Sequence, residues 1–410
     1  MIRAEGLIHS WNRGDDACLR SVKIEEDIRD ALQSVHATRP STEERVALLE
    51  LSDRVGVQFG FLGFPAASQA EEDQCTALAA HAAAHRLAIL PVFMARAVEA
   101  DIPSVCRVRD KAAAEVAADI FIAISDIRFT VEKWTLSRAL EDLHRTAVLA
   151  RSEGLQIRIS LEDSSRASPE NLQRALTLAA DLGATAITLC DTVGASTPSG
   201  AWQLAAFGRN IVSTRQSTID IGWHGHNDKG LALANAIAAA AGGASIISGT
   251  FLGFGERTGN IPLEQVIYLL AEAGHDAYDL KTLPSLCELF CAAARVPMPI
   301  NAPLVGAHAF STSTGTHVAA IDKARALGGS FEDLVYSGVR AADLGRVQSI
   351  LIGPNSGRRA VAALLGELGI PSSTENVTRL LAYCKAHDRS LCSAEAVRAV
   401  LGMSLQEAGS

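Results

Sequence analysis

Residues 155–191 read "LQIRISLEDSSRASPENLQRALTLAADLGATAITLCD": an apolar run, an amphipathic stretch, and a second apolar run. The outer runs, "LQIRISL" and "AITLCD", have the length and apolar character of strands buried in a parallel sheet. Between them, "SPENLQRALTLAADLG" opens with Ser168 and Pro169 before an acidic first turn and closes at Gly183. That is the expected start and stop chemistry of a helix. One strand, one helix and the next strand fit within about 30 to 40 residues, the size of a βαβ unit.

The same unit recurs on both sides. Strands are predicted in "VKIEEDI" from 22, "VQFGFL" from 57, "LAILPVF" from 87, "DIFIAI" from 119, "IDIGWH" from 219 and "ASIISGT" from 244. Helical stretches such as "STEERVALLELSDRV", "SRALEDLHRTAVLARSEG" and "DKGLALANAIAAAAGG" lie between them. Eight strand–helix units over about 250 residues predict an α/β chain folded as a (β/α)8 TIM barrel. A doubly wound sheet would more often show a Gly-rich phosphate loop after its first strand, and none is present here. The barrel is expected over 22–274, after an extension 1–21 that carries no motif. A mostly helical accessory region is expected over 275–410.

The 410 residues are 48% hydrophobic, enough for one large core and a smaller appendage. A net charge of −9 argues against a nucleic-acid surface. No apolar run reaches membrane-spanning length, and the first residues lack the apolar core of a secretory signal. The eight cysteines are scattered with no CxxC pair, as in a reduced protein, so the expected compartment is the cytoplasm.

In a barrel the chemistry sits at the C-terminal ends of the strands. Strand 1 runs into Arg29, Asp30 and Gln33, and strand 5 into Glu162, Asp163 and Arg166. Strand 6 leads to Asp191, Thr192 and Thr197, and strand 8 to Glu256, Arg257 and Asn260. Strand 7 ends in "WHGHND", where His224 and His226, two residues apart, face the same side. With Asp30 they make a two-histidine, one-carboxylate set suited to Mg²⁺, Mn²⁺, Fe²⁺ or Zn²⁺.

The motifs "IRDALQS", "GFPAAS", "SLEDSSR", "DTVGASTP", "HGHNDKGLALAN", "GFGERTGN" and "AFSTSTGTHVAAIDK" resemble those of the metal-dependent Claisen-condensing barrel enzymes. That family includes homocitrate, 2-isopropylmalate and citramalate synthases, with 3-hydroxy-3-methylglutaryl-CoA lyase as a relative. The resemblance covers about residues 22–370 and implies a divalent cation (Mg²⁺, Mn²⁺ or Zn²⁺) on Asp30, His224 and His226. Asn260 would complete or orient that shell.

The co-substrates it implies are acetyl-CoA and a 2-oxo acid whose carbonyl and carboxylate oxygens chelate the cation. Arg29 would stabilise the developing alkoxide, Thr197 would hydrogen-bond the carboxylate, and Gln33 would lie on the substrate side. Glu162 and His317 are the two candidate bases for the acetyl-CoA methyl group. The resemblance implies that His317 reaches the partner subunit's site in a domain-swapped homodimer, with Tyr336 matching a position near it.

Arg166, in the "EDxxR" pattern, resembles the arginine with which homocitrate synthase-type members grip a second, distal acidic group. A dicarboxylic or phosphonate 2-oxo acid is therefore expected over 2-oxoisovalerate. Arg128, in "ISDIRF", stands where many relatives have a histidine; an additional cation there would also favour a doubly acidic substrate, or would contact CoA phosphates. Two further departures are Ala31 for the usual glycine after Asp30, and Phe61 for the usual acidic residue of strand 2.

A 2-isopropylmalate or citramalate synthase and a retro-Claisen lyase are the alternatives. Against the lyase, the strand-8 loop carries no cysteine. A barrel without chemistry is disfavoured by Arg29, Asp30, Glu162, His224, His226, Asn260 and His317 standing together in one chain.

Overall fold

A computed structural model of the chain describes residues 3–9, 11, 16–215 and 218–403. These form two compact units, one within Gly14–Met298 and one within Met1–Arg13 and Pro299–Ser410. The segment read as one N-terminal extension thus divides between them. The short helix Ala4–Leu7 goes with the second unit, and Asp16–Ser21 with the first, where Arg20 Nε donates to the Ala273 carbonyl. The helix Leu283–Ala294, placed in the accessory region on the sequence, also groups with the first unit, packing on the helix Thr42–Val55.

In the first unit eight parallel strands close into a barrel: β1 (Lys23–Glu26), β2 (Phe59–Gly63), β3 (Leu90–Arg96), β4 (Ala117–Ala123), β5 (Gln156–Glu162), β6 (Ala186–Asp191), β7 (Asp220–Gly225) and β8 (Ile246–Gly249). Each matches a strand expected from the sequence. β8 pairs with β1 from Lys23↔Ile246 to Glu26↔Gly249, which removes both sheet edges. The backbone N–H of Asp27 donates to the Gly249 carbonyl at 2.8 Å and continues that seam into the first loop.

Helices start where the sequence offers caps. Ser41 and Glu44 form a reciprocal capping box, and Ser168 accepts from Asn171 N with Pro169 following it. The helix expected to open at Ser137 instead begins at Leu136, because the Thr135 hydroxyl accepts from Arg138 N and wins the cap.

The barrel interior is partly charged. Arg158 of β5, Glu25 of β1 and Asp119 of β4 are all nearly inaccessible and meet across the barrel. Arg158 lies 2.5 Å from Glu25 Oε2 and 3.7 Å from Asp119 Oδ2. The Phe59 ring of β2 covers the guanidinium at 4.7 Å. Breaking such a buried set costs several kcal/mol because the remaining charge has no water to turn to.

The second unit packs the helices Gly315–Leu327, Arg358–Glu367, Thr374–His387 and Ala394–Leu401 around Val318, Ile352, Val361, Leu365, Leu380 and Cys384. A two-residue parallel ladder, Ser311–Thr312 against Ser349–Ile350, ties its loops.

Candidate metal and catalytic site

The end of β1 turns directly into a four-residue helix, Ile28–Ala31, that carries Arg29 and Asp30. Asp27 caps it: one carboxylate oxygen accepts from Asp30 N at 2.9 Å, and the other accepts from Arg29 Nη2 at 2.6 Å. Ala31 is an ordinary helical residue here, so this turn does not need the conformational freedom of a glycine. The aromatic ring of Phe61 stands 5.1 Å under the Arg29 guanidinium, in the space expected for a carboxylate.

Asp30 is buried and faces both histidines of β7. Its Oδ2 lies 3.3 Å from His224 Nε2 and 3.5 Å from His226 Nε2. One ligand atom from each of the three falls within 4.8 Å of the others, the only such trio among the described residues. The rings stand edge to face at 5.3 Å, and both Nε2 atoms approach the same Asp30 oxygen.

Electrostatics suit a cation at that point. Burial opposes the charged form of Asp30, but the His224 hydrogen bond, Arg29 and the two imidazoles hold its carboxyl far below the usual range. Burial and the neighbouring His224 push His226 down to about 4, leaving it a neutral donor at pH 7. Burial works against His224 too, but Asp30 raises it overall. Its second nitrogen, Nδ1, sits 3.3 Å from Ser248 Oγ on the neighbouring strand, the kind of partner that fixes a ligand's tautomer.

Asn260 is brought beside His226 by an isolated antiparallel bridge. It donates through Nδ2 to the Phe254 carbonyl at 3.2 Å, while its Oδ1 is buried without a hydrogen-bond partner. Asp30 Oδ1 is likewise buried and unpartnered. Buried oxygens without partners are costly, and a divalent cation would satisfy them, so the donor set fits one. The glycines of "GFGERTGN" allow this approach: a Cβ on Gly259 (φ +87°) would lie 1.9 Å from the Gly253 carbonyl oxygen.

Glu162, at the end of β5, is paired with Arg128, whose Nε lies 3.1 Å from its Oε1; Arg128 Nη1 also reaches Glu132 at 3.2 Å. Burial raises the Glu162 carboxyl and Arg128 partly offsets that. Arg166 is clamped by Asp163 through two 2.8 Å contacts, on Nε and Nη2. Asp163 is buried at φ +61° and also accepts from the Ser125 hydroxyl at 2.5 Å. Arg257 is held the same way by Asp228.

Thr197 is exposed and caps the helix Pro198–Ser213 by accepting from Gly200 N. Gln33 is exposed just past the helix Ile28–Ala31. In the second unit His317 and Tyr336 stack, ring on ring, at 3.9 Å.

Arg29, Asp30, Glu162, His224, His226 and Asn260 all stand in the first unit, at the ends of β1, β5, β7 and β8. Sequence reasoning missed two partners, Asp27 and Ser248, and named Asp163 at the end of β5 without its pairing to Arg166. Asp27 had one legible signal, an aspartate immediately before a helix that begins at a strand end.

A family model described as HMGL-like matches residues 22–290. "Homocitrate synthase AksA" of Methanopyrus kandleri is 32% identical over 354 residues, 84% of this chain and 82% of that one. A "probable 2-isopropylmalate synthase" of the same organism is 30% identical over 355 residues, 84% of this chain and 65% of its own length. Among solved structures, an HMG-CoA lyase from Brucella melitensis superposes with a TM-score of 0.55 at 20% identity, over 67% of this chain and 99% of that one. At that identity the likeness speaks for the fold alone.

Proposed function

The chain belongs to the HMGL-like family, and from that premise we propose that it condenses acetyl-CoA with a 2-oxo acid. The observation that carries this is the convergence of Asp30, His224 and His226 at the strand ends that also bear Arg29 and Glu162. A divalent cation (Mg²⁺, Mn²⁺ or Zn²⁺) held by the three ligands, with Asn260 beside them, would supply Lewis acidity toward the 2-oxo carbonyl.

The protein's own groups would do the rest. Glu162 is the candidate base for the acetyl-CoA methyl proton, with His317 as the second candidate and Tyr336 orienting it by stacking. The carbanion carbon bonds to the 2-oxo carbon and the carbonyl electron pair moves onto oxygen. Arg29 is the fixed cation for that alkoxide. Water then cleaves the thioester, releasing free CoA and the product carboxylate. Thr197 would hydrogen-bond the 2-oxo acid carboxylate, and Gln33 would lie on the substrate side.

We further propose a homodimer in which the accessory region lends His317 to the partner's site, and a cytoplasmic location. All eight cysteines are free, and no helix among the described residues is long and apolar enough to cross a membrane.

Arg166 and Arg128 support a 2-oxo acid with a second acidic group (2-oxoglutarate, oxaloacetate or phosphonopyruvate). A second possibility, a 2-isopropylmalate- or citramalate-type reaction, is favoured by the two Arg166 donors already committed to Asp163. Thiol release from acetyl-CoA, with each metal and with those acids, pyruvate and 2-oxoisovalerate, separates the cases. Release with a doubly acidic substrate supports the first, and release only with pyruvate or 2-oxoisovalerate supports the second. No release with any of them overturns both.

A further inference from the structure

Two residues around Arg29 have no assigned part in the chemistry above, yet both lie against its guanidinium. Asp27 is almost fully buried, and its two carboxylate oxygens divide their work. Oδ1 takes the Asp30 N–H at 2.9 Å and Oδ2 takes Arg29 Nη2 at 2.6 Å. Its own N–H is pinned to the Gly249 carbonyl at 2.8 Å. Phe61 is buried on β2, in a cluster with Val92 and Ala117, and presents its ring to the guanidinium.

The same construction occurs one layer lower in the barrel. There Glu25 supplies the carboxylate, Arg158 the guanidinium and Phe59 the ring. Glu25 and Phe59 are register partners, and Asp27 and Phe61 lie two residues further along each chain. Strand alternation therefore repeats the carboxylate and the ring, while the upper guanidinium comes from the helix after β1 instead of from β5. In the lower layer the guanidinium is wholly buried and further engaged by Asp119. In the upper layer Arg29 keeps some exposure, and its Nε is buried with no hydrogen-bond partner.

We propose that Asp27 and Phe61 are positioning residues that hold the Arg29 guanidinium by one edge and one face, so that its remaining N–H groups are fixed donors for an anionic oxygen of the substrate. A guanidinium left to its own rotamers would lose several torsions of freedom on engaging an oxyanion; one held beforehand has little left to lose. The ring also keeps water from one face, which strengthens the interaction of the free edge with a developing negative charge. Asp27 adds a constraint of its own. Since it caps the helix bearing Asp30, a single side chain sets both the cation ligand and the cation-like arginine. This proposal rests on the condensation chemistry proposed above.

Asp27→Asn and Phe61→Leu test it. Asparagine caps helices as well as aspartate does, so Asp27→Asn keeps the Asp30 contact while losing the charge opposite Arg29. Phe61→Leu keeps the apolar bulk and loses the ring face. Each is expected to lower kcat on the order of tenfold to a hundredfold, by analogy with loss of an outer-shell partner. KM for the 2-oxo acid and the dissociation constant for Mn²⁺ should stay within about twofold of wild type. In an Arg29→Gln background neither change should lower kcat further, because the group they position is gone.

A second readout is independent of turnover. In ¹⁵N spectra of the full-length protein, the Arg29 guanidinium, assigned by its loss in Arg29→Lys, should show restricted rotation. That restriction should be lost in both variants. Unchanged rotation with unchanged kcat overturns the clamp, as does an equal loss of kcat in the Arg29→Gln background. If wild type turns over no 2-oxo acid, the proposed function fails while the rotation experiment still decides the clamp. Should Asp27→Asn not fold, Phe61→Leu carries the same test.

Discussion

Arg128 and Glu162 face each other at 3.1 Å at the mouth of the barrel, so the candidate base is neutralised by the cation proposed to meet the substrate. Burial raises the Glu162 carboxyl and Arg128 counteracts it. A base acts deprotonated, so removing Arg128 lets its pKa climb and activity at the acid end falls. The acid limb of kcat/KM is expected to move to higher pH in Arg128→Gln, and Glu162→Gln to lose roughly 10²-fold or more in kcat. A pH–rate profile checks the first; an unmoved limb would mean that Glu162 is not the titrating base.

His224→Ala removes one of the three proposed metal ligands and also the imidazole that lies 3.3 Å from Asp30 Oδ2. Mn²⁺ is expected to raise the Tm of the wild type, and the variant to purify with little bound metal and to show no such rise, since only a ligand bound to the folded state raises it. Elemental analysis and a thermal scan with and without metal measure both. Full metal content in the variant would move the cation elsewhere.

Gly259 bears the tightest backbone approach in the strand-8 loop. Gly259→Ala would bring a methyl group into the Gly253 carbonyl and force Asn260 away from His226. A destabilisation on the order of 2 kcal/mol or more is expected, together with at least tenfold weaker metal binding. Denaturant titration and metal competition read the two effects separately, and a variant with wild-type metal affinity would release Asn260 from the site.

Glu26 carries a prediction about stability. Its carboxyl is buried, accepts a hydrogen bond from the Ser52 hydroxyl, and is pushed up to about 7 chiefly by burial. The folded state thus keeps a proton that the unfolded chain releases near pH 4.5. Stability from this group is complete below the unfolded value and declines as pH rises from there through about 7. The total is on the order of 3 kcal/mol. Glu26→Gln should flatten that slope in urea titrations from pH 5 to 8; an unchanged slope would refute the assignment.

Much of this was legible in the sequence because periodicity and end chemistry agree. The eight strands stand where short apolar runs predicted them, and Asp30, His224 and His226 meet because all three sit where parallel strands end. What stayed hidden depends on pairing across the barrel. No local pattern shows that the Ser125 hydroxyl, after β4, donates to Asp163 after β5, or that Ser248 lies beside His224 by the β7–β8 register. Phe61 was legible as a departure, but its partnership with Arg29 was not, since β2 and the turn after β1 come together only in the closed barrel. The helix starting at Leu136 rather than near Ser137 is a smaller case, two candidate caps competing within one turn.

The seam between β8 and β1 has a consequence for the order of synthesis. It joins the first strand of the barrel to its eighth, and the candidate site is divided across it: Arg29 and Asp30 on one side, Ser248 and Asn260 on the other. A nascent chain on the ribosome carries Asp30 long before His224 and more than two hundred residues before Asn260. Until the barrel closes, Asp30 does not stand beside His224 and His226, so the proposed cation site is not assembled. Metal acquisition would then be a late event, reserved for chains that have completed their barrel.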